Sequence, residues 1–259
     1  MRFLAPDRFP LVLAFALTLL TAGRVHAQKG PPPGPQDASR KWEITDNSFL
    51  VEEAFNQETG VVQNIFTWTS GRHRSWYGNF TQEWPAPGMR HQLSYSIPFS
   101  STGDAAGVGD VMVNYRFQLR EEDARGPAVS PRFTLLLPTG SEADGLGSGT
   151  AGLDVSLPVS KQFGDFYVHA NAEYTWLPDV YRTTRVAASG IWRAAPMFNV
   201  ILESVVAIGE SMTLSPGFRR GWNFGDRQLV LGLGAPITRA DGMTTAALLT
   251  YFSLELPFR

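Results

Sequence analysis

The chain has 259 residues, no cysteine, and 22 basic against 24 acidic side chains, which gives a formal net charge of −2. This charge gives no electrostatic case for a nucleic-acid partner, and the lack of cysteine excludes disulfides and a lipoprotein anchor. The mean hydropathy of −0.11 is far below that of a helical membrane protein, although a membrane barrel can be this polar because only alternate residues face lipid.

Residues 1–27 have the three parts of a secretory signal peptide. Two arginines make the start positive, residues 11–20 (LVLAFALTLL) are an unbroken apolar run, and residues 25–27 (VHA) form a small-x-Ala cleavage site. Because a membrane-spanning helix needs about 20 apolar residues, a cleaved signal is favoured over a membrane anchor. The sequence predicts export and a mature chain that begins at Gln28 with a net charge of −4, since the signal holds three Arg and one Asp.

Residues 28–58 are predicted to be a leader and periplasmic segment, ahead of a barrel over residues 59–259. Residues 28–40 are proline-rich and charged, a composition that does not build a packed core. Residues 49–56 (FLVEEAFN) resemble a strand, but counting them would make the number of strands odd. We therefore interpret them as a periplasmic segment or as an inward tuck near the barrel mouth.

Beyond the leader, apolar and polar residues alternate almost throughout. Residues 166–176 show this most clearly, because Phe, Val, Ala, Ala, Tyr and Trp alternate with Tyr, His, Asn, Glu and Thr. Segments of about ten residues, joined by alternating short and longer connections, are typical of a membrane barrel, whereas soluble strands average about 5–6 residues. The predicted fold is all-β, an antiparallel transmembrane β-barrel of about twelve strands with short periplasmic turns and longer outer loops. The predicted strands are residues 61–70, 76–84, 89–99, 109–120, 127–138, 151–162, 165–176, 184–194, 197–208, 212–223, 227–236 and 243–258.

Three prolines lie inside these predicted strands, namely Pro131, Pro158 and Pro216. A closed barrel has no edge strand on which a proline is harmless, so each should remove one ladder hydrogen bond or mark a bulge. Tryptophans near the strand ends suit the aromatic girdles at the two membrane interfaces. They are Trp68, Trp76, Trp84, Trp176, Trp192 and Trp222.

The last predicted strand alternates up to Phe258, and this ending is similar to the sorting signal of outer-membrane barrels. Arg259 follows the phenylalanine and is a small departure from that signal. We therefore expect three partners: the barrel-assembly machinery at this strand, outer-membrane lipid around the barrel, and a small-molecule solute inside it. The expected location is the bacterial outer membrane.

If the apolar face meets lipid, the alternate face lines the lumen. A charged side chain facing lipid at the membrane midplane costs about 2–4 kcal/mol, so the charged residues of the strands should face inward. Two interpretations stay open: a polar passage or binding chamber, and an ion-pair network that fills a narrow barrel. The predicted lumen-lining residues are Arg116, Arg120, Arg132, Asp154, His169, Asn171, Glu173, Glu203, Arg219 and Glu255.

The sequence offers little for catalysis. His91 falls on the apolar face with Tyr95, where the Ser-His pair of a lipid-hydrolysing barrel would lie. It is also close to a turn, where a histidine can sit at the interface without any role, and His169 is better placed to join the lumen network with Glu173. No His or carboxylate spacing resembles a metal site. The sequence therefore predicts no enzyme, no metal and no cofactor.

Four stretches resemble the outer-membrane transporter family associated with the meta-pathway of phenol degradation. They are residues 107–117 (GVGDVMVNYRF), 135–141 (LLLPTGS), 145–149 (GLGSG) and 168–174 (VHANAEY). The motifs are moderately specific, because Gly-Asp and Pro-Thr-Gly are also common turn signals. The similarity covers about residues 60–258.

The resemblance implies a porin-like channel or uptake barrel for passive transport of small organic molecules, aromatic compounds among them. Trp76, Tyr77 and Tyr181 are candidate contacts for an aromatic solute. Three alternatives stay open: a non-conducting structural or receptor barrel, an outer-membrane lipid-modifying enzyme, and a soluble exported β-sandwich.

Overall fold

The computed structural model describes Glu43, Ile44, Asp46, residues 48–71 and residues 75–258. The predicted signal peptide, most of the leader, His73 and Arg259 lie outside these described residues. No helix in the described part of the chain is long and apolar enough to cross a membrane.

Within the described residues, twelve strands form the wall of a barrel, and each pairs antiparallel with two neighbours. Every one of the twelve predicted strands corresponds to one of them. The wall strands are β1 (Val61–Ser70), β2 (Trp76–Pro85), β3 (His91–Ser101), β5 (Met112–Phe117), β7 (Arg132–Leu136), β8 (Gly152–Phe163), β9 (Phe166–Leu177), β10 (Tyr181–Ala195), β11 (Phe198–Ala207), β12 (Ser211–Phe224), β13 (Arg227–Gly234) and β16 (Leu248–Pro257). Four short strands extend the wall: β4 (Ala106–Val108) on β3, β6 (Ala128–Val129) on β8, β14 (Ile237–Ala240) on β12, and β15 (Met243–Ala246) on β14.

The sheet closes because the first wall strand pairs with the last. The β1–β16 register runs from Val61 opposite Pro257 to Ser70 opposite Leu248. A closed barrel has no open edge, so the backbone groups of its wall can all find partners without water. The predicted all-β antiparallel barrel is thus confirmed.

The outer face of the barrel is apolar and its inner face is polar. In β9, the side chains of Val168 and Tyr174 are 44% and 47% exposed, whereas His169 and Thr175 on the alternate face are at most 1% exposed. A soluble sheet buries its apolar face instead. This arrangement contradicts the soluble β-sandwich and suits a lipid environment.

The six tryptophans named above all lie on the outer face, in two groups at opposite strand ends. Trp68, Trp76 and Trp176 lie where β1 ends, β2 begins and β9 ends, and the rings of Trp68 and Trp76 stack at 4.4 Å. Trp84, Trp192 and Trp222 lie near the opposite ends of β2, β10 and β12. This is the arrangement of two interfacial girdles.

The two ends of the barrel differ in their connections. One end, here called the turn end, carries both ends of the described chain and the two-residue turns 164–165, 196–197 and 225–226. The other, the loop end, carries most of the longer connections, including 137–151 and 235–247. The exception is 118–131, a long connection at the turn end that includes β6.

The three prolines lie where the ladder tolerates them. Pro131 separates β6 from β7, so the predicted strand 127–138 is divided at the residue that cannot donate. Pro158 in β8 lies opposite this break, and its carbonyl accepts a hydrogen bond from the Ser130 N–H at 3.1 Å. The carbonyl of Pro216 in β12 accepts from Ala235 at 2.9 Å, in the gap between β13 and β14.

Candidate functional site: the barrel lumen and its plug

A segment without secondary structure occupies the lumen. It consists of Glu43, Ile44, Asp46 and residues 48–57, and we call it the plug. Phe49, Val51 and Ala54 are fully buried although the segment belongs to no strand. Of the two interpretations of residues 49–56, the structure shows the inward tuck, and it lies deeper than the barrel mouth.

The plug enters and leaves the lumen at the turn end. At its start, Glu43 forms an ion pair with Arg193, and its carbonyl accepts from Gln228 at 3.2 Å. At its far end, the N–H of Gln57 donates to Gln92 at 2.7 Å, just before β1 begins. Its middle residues contact wall residues halfway along β9 and β11, so the plug forms a loop that rises into the barrel and returns.

Polar side chains of the wall satisfy the backbone of the plug. A buried segment outside a sheet must find partners for its N–H groups, and here the wall supplies them. The acceptors are Glu203 for Leu50 and Val51, Asn171 for Glu52, Ser160 for Ala54, Gln118 for Asn56, and Gln92 for Gln57, at 2.6–3.2 Å. The amides and hydroxyls of the lumen face therefore act as a binding surface for an extended chain.

The apolar part of the plug is anchored by Phe49. Its ring lies on three glycines of β12 and β13: a Cβ would come within 2.7 Å of the ring at Gly217, 2.5 Å at Gly232 and 3.2 Å at Gly234. The ring of Tyr251 packs beside it, with 5.3 Å between centroids. We call Gly217, Gly232, Gly234 and Tyr251 the glycine cradle, because the three glycines have no side chains and so leave room for the Phe49 ring.

Two adjacent glutamates of the plug face basic residues of the wall. Glu52 forms an ion pair with Arg132 and accepts a hydrogen bond from Ser156 at 3.0 Å. Glu53 lies 3.9 Å from the His169 ring and interacts electrostatically with Arg219 and Arg116.

Arg116 also holds the returning part of the plug. Its guanidinium donates to the carbonyls of Glu53 and Phe55 at 3.1 and 2.7 Å, and to the side-chain oxygen of Asn56 at 3.2 Å. Arg116 is 1% exposed, so these contacts are shielded from bulk water. Ser130 and Gln118 add hydrogen bonds to the carbonyl of Ala54.

A second charged network, closer to the loop end, joins wall residues to one another. Arg185 forms an ion pair with Glu173, lies 3.8 Å from Asp154, and donates to Thr175 at 3.0 Å. Thr175 in turn donates to Asp154 at 2.6 Å. This network cross-links β8, β9 and β10, and its Asp154 also lies 3.9 Å from Arg132 of β7.

The structure places nine of the ten predicted lumen residues on the inner face. Five of them contact the plug, namely Arg116, Arg132, His169, Asn171 and Glu203. Arg219 interacts with Glu53, and Asp154 and Glu173 belong to the wall network. Glu255 is 3% exposed. The prediction for Arg120 is wrong. Its side chain is 43% exposed and pairs with Asp123 at 2.9 Å, because Arg120 lies beyond the end of β5 in the connection at the turn end, where its backbone bridges to Val129.

Several lumen residues were missed by sequence reasoning. They are chiefly neutral: Gln63, Asn79, Gln92 and Gln118, together with Glu83 and Arg185. The sequence contains a signal for them, because in β3 the residues Gln92, Ser94 and Ser96 alternate with larger residues, and a lumen face can be uncharged.

His91 lies on the outer face at the turn end, and its Nδ1 contacts the Tyr115 hydroxyl at 2.7 Å instead of a serine. A Ser-His contact does occur in the lumen, between Ser160 and Nδ1 of His169 at 2.8 Å. Ser160 there also accepts the Ala54 N–H, so the plug covers it. Among the described residues, no group of three His, Asp or Glu side chains is arranged to hold a metal ion.

Three of the four motifs that carry the family resemblance meet at the loop end. The carboxylate of Asp110 accepts the Gly140 N–H at 3.0 Å, and the N–H and hydroxyl of Ser148 at 2.7 and 2.6 Å. A Cβ on Gly147 would come within 2.5 Å of the Gly140 carbonyl oxygen. These residues form a loop clasp that fixes residues 137–151 to Asp110, two residues before β5 begins. The fourth motif lies on β9 and supplies His169 and Asn171 to the plug site.

No protein-family model matches this sequence, and no curated protein matches it. Among solved structures, the chain is similar to the COG4313 outer membrane channel from Pseudomonas putida F1, with 13% identity and a TM-score of 0.61 over 79% of this chain and 98% of that chain. It is also similar to the CymD monoaromatic hydrocarbon channel, with 9% identity and a TM-score of 0.43 over 78% of this chain and 90% of that one. At these identities the likeness shows the fold alone, and that fold is an outer-membrane β-barrel.

Proposed function

We propose that this protein is an outer-membrane channel for the passive passage of small organic molecules, aromatic compounds among them, and that the plug closes it. The observation that carries the proposal is that the lumen is filled by a segment outside the wall. Every described contact between the plug and the wall is non-covalent, so the plug can leave while all wall strands stay paired.

The wall is suited to a water-filled lumen once the plug has left. The groups that hold the plug are amides, hydroxyls and charged side chains, and water can replace a backbone N–H or carbonyl as their partner. An apolar core would instead collapse or aggregate when uncovered. The Pseudomonas putida F1 protein with the similar fold is named as an outer membrane channel, which agrees with this proposal.

The glycine cradle supports aromatic compounds as one class of solute. It binds a phenyl ring in the closed state, and departure of Phe49 would leave the same surface for the ring of a solute. Of the three aromatic residues suggested by the sequence, Tyr77 faces the lumen, Trp76 lies on the outer face, and Tyr181 bonds Glu210 at 2.5 Å at the loop end. The link to phenol degradation and the export signal stay predictions.

The competing function is a non-conducting structural or receptor barrel. The wall network around Arg185 favours it, because cross-linked charges can fill a narrow barrel permanently. Solute flux into liposomes separates the two functions. A channel predicts that a panel of small neutral and charged solutes enters faster than through lipid alone, and that Phe49→Ala increases the rate by loosening the plug. No flux of any solute in either protein would contradict the channel.

A further inference from the structure

The carboxylate of Glu52 occupies a site that the wall builds without help from the plug. Arg132 of β7 and Ser156 of β8 are direct register partners, so their side chains lie next to each other on the lumen face. Both are at most 1% exposed. The guanidinium pairs with the Glu52 carboxylate, and the hydroxyl donates to its Oε2 at 3.0 Å.

Arg132 also has a carboxylate of the wall beside it. Its guanidinium lies 3.9 Å from the carboxylate of Asp154 on the neighbouring strand, a partner that does not belong to the plug. An arginine has five N–H donors, so one carboxylate of the wall leaves donors for a second one. Planar guanidinium groups bind carboxylates with two parallel hydrogen bonds, which makes the site selective for that chemistry.

The neighbouring residues extend the same preference. Arg116 and Arg219 are buried cations that interact with Glu53, the next residue of the plug. Asp46, Glu52 and Glu53 therefore bring three carboxylates into a lumen that already holds acidic wall residues. Arginines of the wall face Glu52 and Glu53, whereas Asp46 accepts hydrogen bonds from Gln63 and Tyr251 at 3.1 and 2.6 Å. The arginines lose these two carboxylates when the plug leaves.

We infer that Arg132 and Ser156 form a carboxylate-binding site for the solute, and that Glu52 is its internal competitor. The channel then takes small organic anions that carry a carboxylate. This inference rests on the proposed function, because a solute reaches the site only when the plug has left. A carboxylate solute stabilises the open state, whereas an uncharged solute of the same shape does not.

The test uses the full-length protein in detergent or liposomes with one cysteine, Ser48→Cys, as a reporter of plug position. The natural chain has no cysteine, so labelling by a maleimide reports this residue alone. Ser48 is fully buried against Ser189 when the plug is in place. The probes are benzoate and its uncharged analogue benzyl alcohol.

We expect benzoate, at ten times its dissociation constant for the open state, to raise the labelling rate of Ser48→Cys about tenfold. Benzoate that binds the open state alone raises the population of that state by mass action, and the cysteine is labelled only in that state. Benzyl alcohol should have a much smaller effect. Arg132→Gln should remove the benzoate effect, and Arg120→Gln, at an exposed arginine of the turn end that pairs with Asp123, should keep it. If Arg132→Gln fails to fold, Ser156→Ala provides the second variant, with a weaker benzoate response expected.

The outcomes separate this inference from the proposed function. An equal response to benzoate and benzyl alcohol, or an unchanged benzoate response in both Arg132→Gln and Ser156→Ala, would overturn the carboxylate site while solute flux still supports a channel. No labelling of the reporter under any condition, together with no flux in liposomes, would overturn both.

Discussion

The ring of Phe49 lies so close to Gly232 that a Cβ on that glycine would come within 2.5 Å of it. Phe49 belongs to the plug and Gly232 to the barrel wall, and neither position looks functional by itself. Closure of the lumen therefore depends on the absence of a side chain at Gly232. A substitution at either residue therefore changes the closed state while the barrel strands keep their pairing.

Gly232→Ala should weaken plug binding, because the new methyl group overlaps the Phe49 ring. Overpacking of this kind costs about 1–3 kcal/mol, so we expect labelling of Ser48→Cys to rise about tenfold. The measurement is the maleimide labelling rate. Gly190→Ala is the matched control, since Gly190 lies in a wall strand and a Cβ there meets nothing within 4 Å.

The double variant Phe49→Ala/Gly232→Ala checks the cause. With the ring removed, the methyl group at position 232 has room, so the two effects should not add. Full additivity would show that Gly232→Ala acts through the wall instead of through Phe49.

Glu52→Gln should favour the open state, because the amide keeps the size of the side chain but loses its charge beside Arg132. Losing a hydrogen-bonded charge typically costs about 1.5–3 kcal/mol. Solute flux into liposomes and reporter labelling should both rise. Glu121→Gln changes the net charge by the same amount at an exposed residue of the turn end and should alter neither quantity.

Asp110→Asn should loosen the loop clasp without moving the plug. The carboxylate accepts three hydrogen bonds, and an amide replaces one acceptor oxygen by a donor. We expect faster proteolytic cleavage within residues 141–147, while Ser48→Cys labelling stays at its starting rate. Faster labelling would mean that the clasp also supports the closed lumen.

The closed barrel should also be visible on a gel of purified outer membranes. Because β1 and β16 pair along their length, the cold sample should resist detergent and migrate faster than the boiled one. Recovery of the protein in the soluble periplasmic fraction, with no shift on boiling, would contradict a membrane barrel.

The barrel could be predicted from the sequence because its signal is repeated in every strand. Alternation separates an apolar from a polar face of β9. In a membrane the apolar face must be the one that meets lipid, because charged side chains are costly there. The inner-face residues of the long strands followed from the same rule. Arg120 did not, because alternation continues in the sequence past Gln118, whereas the structure exposes Arg120 at the turn end.

The plug could be predicted only as one of two alternatives. Residues 49–56 are rich in apolar residues like a strand, yet the partners of their backbone are side chains instead of a neighbouring strand. Such contacts depend on residues far away in the chain. The glycine cradle was not predicted for the same reason. A glycine in a strand indicates a close approach, but the sequence does not say which ring approaches.

The central claim is that movement of the plug opens the lumen, and the most direct test is a reversible lock. The hydroxyls of Ser48 and Ser189 contact each other, so Ser48→Cys/Ser189→Cys should place two thiols where they can form a disulfide between plug and wall. The measurement is single-channel conductance before and after reduction, in a Phe49→Ala background that raises the frequency of opening. We predict a silent channel when the disulfide is formed and conductance when it is reduced. The same conductance in both states, with the disulfide verified, would contradict the claim.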